Sequence, residues 1–152
     1  MITKEETMDL AASKAEEGWL CSEAVLQALA EALNVSSELI PRVATGFAAG
    51  IGRSGEVCGA VSGAILGLGL KYGRNDLEET PPGRRPHWFA AELIQAINER
   101  QGAVTCAGVL GLDLKYPGDL ETYYRLDHWN TTCRELIKEA TALAWGLLQR
   151  DP

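Results

Sequence analysis

Gly59, Gly63 and Gly67 fall four residues apart within the most apolar stretch of the chain, Val57 to Leu70. On a helix that spacing lines the three glycines along one side. Each costs the helix about 1 kcal/mol relative to alanine, so the pattern makes sense where another backbone packs closely against that side and returns the loss. The stretch is 14 residues long and holds a serine and four glycines, which is short for a bilayer span and suits a buried helix. No membrane association is expected.

Apolar residues recur at helical spacing through the rest of the chain, without a run of alternating β-branched residues, which predicts an all-α fold. A first helix is expected over about Lys4 to Glu17, ending at Gly18. A second begins near Cys21, with Ala24, Val25, Ala28, Leu29 and Ala32 as its inward stripe up to Asn34. Ser36 or Ser37 is placed to cap a short third helix with Pro41 in its first turns. The fourth is expected over Glu56 to Tyr72 and the fifth over Trp88 to Arg100, after an exposed, proline-rich connection from Leu77 to Pro86. A short helical piece lies around Cys106, and Asp113 to Trp129 reads as an irregular loop with room for one helical turn, covering the thiols. Asn130 or Thr131 then caps a last helix, Thr132 to Gln149, whose apolar face includes Leu136, Ile137, Ala140 and Leu147. The expectation is one domain over residues 1–152, a bundle of about six helices with cysteines at helix N-termini.

At 152 residues and 46% apolar content, such a domain can form a core without disulfides or metals. The net charge of −7 and the absence of a basic run argue against nucleic acid as a partner. The first ten residues mix charges of both signs and lack the apolar core of a signal peptide. A cytoplasmic location is therefore expected, and in that reducing compartment Cys21, Cys58, Cys106 and Cys133 point to metal binding or redox turnover more than to static disulfides.

Each of the four cysteines is expected where a helix begins. Unpaired N–H groups and the positive end of the macrodipole there favour the thiolate. Lowering a thiol pKa from about 8.5 to about 6.5 would turn a few per cent of thiolate at neutral pH into a majority. The G-I-G-R-S-G loop, Gly50 to Gly55, adds backbone N–H groups able to face an anion or sulfur, with Arg53 as a cation. Gly52, Arg53, Gly55 and Gly59 are accordingly the candidate cofactor-binding residues. The cysteines are 37, 48 and 27 positions apart, so there is no C-x-x-C pair, zinc ribbon, ferredoxin ligand run or haem-attachment motif. His128, five residues before Cys133, could supply a ligand or a proton relay, although a surface role suits it better. His87 marks a helix start, and Trp19, Trp129 and Trp145 read as core or rim aromatics.

The order of these cysteines and their surroundings, C-S-E-A-V-L-Q-A-L, V-C-G-A-V-S-G-A-I-L-G-L-G and G-A-V-T-C-A-G-V-L-G-L-D-L with a fourth cysteine before the last helix, resembles the C_GCAxxG_C_C family, described as redox-active proteins. The resemblance runs from about Gly18 to Leu148 and carries the family's four cysteines onto Cys21, Cys58, Cys106 and Cys133. Val57 precedes Cys58, and Gly63 comes one position later than the family name implies. A similar four-cysteine region stands beside haem domains in split-Soret-type cytochromes, which implies an iron-sulfur or electron-transfer role here; no haem is expected.

Two functions follow as expectations. In the first, the four sulfurs converge to bind an iron-sulfur cluster such as a 2Fe-2S centre or another thiophilic metal, or cycle as thiol/disulfide pairs with a redox partner protein. In the second, the chain is a metal-free interaction module that forms a homodimer through its glycine-lined helix face, with structural cysteines. No general base or cofactor fingerprint assigns an enzymatic reaction.

Overall fold

The computed structural model describes residues 1–77 and 85–150. Helix α1 (Lys4–Glu17) opens with a reciprocal cap. The Glu6 amide donates to Thr3 Oγ1 at 3.1 Å and the Thr3 amide to Glu6 Oε2 at 2.7 Å, satisfying two of the donors a helix start leaves free. Gly18, at φ 112°, ends it in the left-handed region.

Helix α2 (Cys21–Ala32) is the centre of the molecule, with Ala24, Val25, Ala28 and Leu29 fully buried. It packs against α1, α4 (Gly59–Tyr72) and α8 (Arg134–Leu148), while α5 (Trp88–Gln101) packs on α4 and α8. Val61, Leu68, Leu93, Ile97, Ile137 and Leu148 complete this core. The face of α4 that carries its glycines meets α2 directly. A Cβ on Gly63 would lie 2.5 Å from the Ser22 carbonyl oxygen, and one on Gly67 2.5 Å from Leu29 Cδ1. That face is therefore covered within the chain and does not present the dimer surface expected from the sequence.

Ser22 is fully buried at this crossing and donates its hydroxyl to the Ala44 carbonyl at 2.7 Å. Ser22→Ala strands that buried acceptor and is expected to cost about 2 kcal/mol in a urea titration.

Between α2 and α4 the chain departs from expectation. Ser36 and Ser37 do not cap a helix; the Ser37 hydroxyl accepts from the Leu39 amide in a local turn. A 3₁₀ helix, Arg42–Phe47, follows Pro41. Next comes the one-turn element α3 (Ala48–Ile51). Ala49, Gly50, Ile51, Gly52 and Arg53 all have φ between 56° and 69°, so this turn winds left-handed. Such a turn costs roughly 1–2 kcal/mol for each L-residue in it.

Helix α4 starts three residues later than predicted, because Val57 is extended and forms an antiparallel bridge with Thr105. The exposed connection predicted from Leu77 to Pro86 lies largely outside the described residues. Helix α6 (Cys106–Leu110) matches the predicted short piece. The predicted irregular loop instead contains α7 (Pro117–Arg125), with proline at its first position, where the missing N–H is not needed. Neither Asn130 nor Thr131 caps the last helix. A π-helical turn, Trp129–Cys133, runs directly into α8, held by the Asp127 carbonyl, which accepts from both the amide and the hydroxyl of Thr131. The described α-helices number eight, against about six helices expected.

Candidate four-cysteine site

The four cysteines come from four separate segments and all line one cavity of about 350 Å³. Cys106 is buried, the other three are half-buried, and all four thiols are free. Cys21 and Cys106 are first residues of α2 and α6, and Cys58 directly precedes α4. Cys133 corrects the expectation. It lies inside continuous helix, at φ −65° and ψ −42°, as the last residue of the π turn. The wider turn supplies its placement, a use to which π-bulges at functional sites are often put.

Cys58 and Cys106 flank the bridge, each one residue past its paired Val57 or Thr105. The Cys58 amide donates to the Val104 carbonyl at 2.8 Å and the Cys106 amide to the Glu56 carbonyl at 2.7 Å. Two glycines make room for sulfur-bearing residues. A Cβ on Gly59 would sit 2.3 Å from Cys21 Sγ, and one on Gly50 2.6 Å from Cys106 Cβ. The left-handed turn brings the Ala49 backbone N–H to Cys21, and the first amides of α4, from Ala60 and Val61, face Cys58. Arg53 and Gly59 line the cavity, whereas Gly52 and Gly55 are not among its lining residues.

These amides favour the thiolates, as the sequence suggested, but burial outweighs them. Desolvation pushes Cys21 and Cys133 above the ordinary thiol value, and pushes Cys58 and Cys106 up to about 12. The Cys21 charge adds to the rise at each of the other three, so the thiols sense one another across the cavity. The expectation of lowered thiol pKa values is thus reversed. Left to themselves, these groups are protonated at neutral pH.

No group of three or more His, Cys, Asp or Glu among the described residues is arranged to hold a single metal ion. His128 stacks on Tyr123 with ring centroids 5.9 Å apart and shares a 3.0 Å hydrogen bond, through Nδ1, with Thr132 Oγ1. Trp19 stands exposed at the cavity rim, Trp129 lines the cavity, and Trp145 donates to the Ile2 carbonyl.

A second, smaller apolar cluster surrounds this end of the molecule, built from Cys106, Leu110, Leu114 and Tyr123. Leu120 and Tyr123, three apart on α7, turn inward and line the cavity. Sequence reasoning missed them. The only available signal was that three-residue spacing, following a proline suited to start a helix.

No described helix is long and apolar enough to cross a membrane. No curated protein and no solved structure matches the chain. A family model described as "Putative redox-active protein (C_GCAxxG_C_C)" matches residues 19–146, a span that takes in all four cysteines and the turn, bridge and helices that carry them. The chain belongs to the C_GCAxxG_C_C family.

Proposed function

We propose that this is a redox protein whose four cysteine sulfurs act together, holding an iron-sulfur cluster or another thiophilic centre in the cavity between them. The observation that carries this reading is the shared cavity, lined by Cys21, Cys58, Cys106 and Cys133 from four segments. The donor set fits. Thiolates are soft ligands suited to iron-sulfur and related centres, among the described residues no Asp, Glu or His lines the cavity, and Gly59 and Gly50 keep space beside Cys21 and Cys106. Such a centre would supply one-electron chemistry when bound.

The protein's own contribution is electrostatic. Its thiols must release their protons to become ligands, and burial opposes that release. The amides of Ala49, Ala60 and Val61 and the Arg53 side chain offset part of the resulting negative charge. A redox partner protein would approach at the rim, where Trp19, Leu20 and Tyr124 both line the cavity and reach solvent.

A second reading, cycling of thiol pairs, draws on the fact that all four thiols are free and sense one another. Purification under anaerobic conditions separates the two. Bound iron, acid-labile sulfide and visible absorption are expected for the first, with all three lost in Cys58→Ser. Colour and iron retained by Cys58→Ser would sink it. A colourless protein that exchanges two electrons per thiol pair with a dithiol buffer would establish the second.

A further inference from the structure

Tyr123 is the only buried residue of α7, a helix whose other side chains are half-buried or exposed. Its phenol oxygen lies 3.5 Å from Cys133 Sγ, at the cavity. The stacked ring of His128 packs against it, with ring planes only 17° apart, and His128 is itself tied to Thr132. The ring is thus held from one side by an aromatic neighbour whose own orientation is fixed. A phenol aimed into an apolar cavity needs a partner, and Cys133 supplies it.

When Cys133 is a thiolate, free or ligating, its sulfur has no proton to give, so the phenol O–H must be the donor. We infer that Tyr123 is a positioning residue that tunes the Cys133 sulfur, donating a hydrogen bond that strengthens as negative charge accumulates there. This deepens the redox reading and rests on it. Reduction adds an electron to a centre whose sulfurs already carry negative charge. A hydrogen bond to one of those sulfurs stabilises the reduced form more than the oxidised form, and so raises the reduction potential. For a thiol pair the same bond favours the thiolate that a broken disulfide releases.

The test is Tyr123→Phe, which keeps the ring and its stack on His128 and removes only the hydroxyl. Two readouts are needed. In the anaerobically purified protein, an equilibrium titration should show the reduced-to-oxidised ratio at a fixed ambient potential falling about tenfold, a downward shift of about 59 mV for a one-electron couple. In the metal-free, fully reduced protein, iodoacetamide labelling at one alkaline pH, followed by peptide mapping, should show Cys133 reacting several-fold more slowly. Cys21, Cys58 and Cys106 should change less than twofold. An unchanged potential, or a Cys133 labelling rate that is unchanged or faster, overturns the assignment. If the wild-type protein holds no redox-active centre, the redox reading fails on that arm alone, and the labelling arm still decides whether Tyr123 acts on Cys133.

Discussion

Gly63→Ala should destabilise the protein by about 3 kcal/mol, while Gly69→Ala, six residues along the same helix and on a different face, should stabilise it by up to about 1 kcal/mol. The two substitutions add the same methyl group to α4 and relieve the same backbone freedom in the unfolded chain. Only their surroundings differ. A Cβ at 63 would lie 2.5 Å from the Ser22 carbonyl oxygen and 2.9 Å from its Cα. Both atoms belong to the backbone of α2, so relief requires moving a helix rather than a side chain, and the cost falls at the upper end of what overpacking usually exacts. Nothing lies within 4 Å of a Cβ at 69, so there the helix-forming advantage of alanine is free to appear. Opposite signs in paired urea titrations would establish close backbone approach as the reason for the glycines. Because Cys21 and Ser22 open α2 against this part of α4, Gly63→Ala should also disturb the cysteine cavity, whereas Gly69→Ala should leave it alone.

The helices that bury a continuous stripe were legible from sequence: α1 matches its predicted bounds, and α2, α5 and α8 fall within a few residues of theirs. The glycine period of α4 correctly announced a closely packed partner, but could not say which one. It proved to be α2 of the same chain. The parts that resisted are those whose geometry is set by tertiary contacts. Five successive left-handed residues, three of them non-glycine, contradict local preference, and no local signal distinguishes Ala49, Ile51 and Arg53 from residues of an ordinary glycine-rich turn. The bridge between Val57 and Thr105 joins positions 48 apart by one residue pair, too short to leave an alternating pattern. Cys133 was misplaced because a π turn and an α-helix start share the same polar run, Asn130 to Thr132. The thiol pKa values were misjudged for a related reason. Helix starts are visible in sequence, but the desolvation that outweighs them depends on which other segments close over the sulfurs.

That reversal makes the stability of the metal-free protein fall in alkali. Cys58 is held in the folded state up to about 12, from an ordinary value of 9.0. Below about pH 9 the thiol is protonated in both states and burial carries no ionisation penalty. Above that, the unfolded chain releases a proton that the folded protein retains, so stability declines with rising pH until the folded thiol also ionises. Carried across the whole interval, Cys58 alone accounts for a loss on the order of 4 kcal/mol. Urea titrations of metal-free protein from pH 8 to 11 should show this decline, and Cys58→Ala should visibly flatten it. A profile that Cys58→Ala leaves unchanged would contradict the burial of this thiol. Loading a thiolate-bound centre should reverse the dependence. The sulfurs are then already deprotonated, protons compete with the centre for them, and the protein should hold its stability into alkali and lose it as the pH falls. The direction of the pH dependence, measured with and without the centre, thus reports whether the four sulfurs serve as ligands or stand as buried thiols.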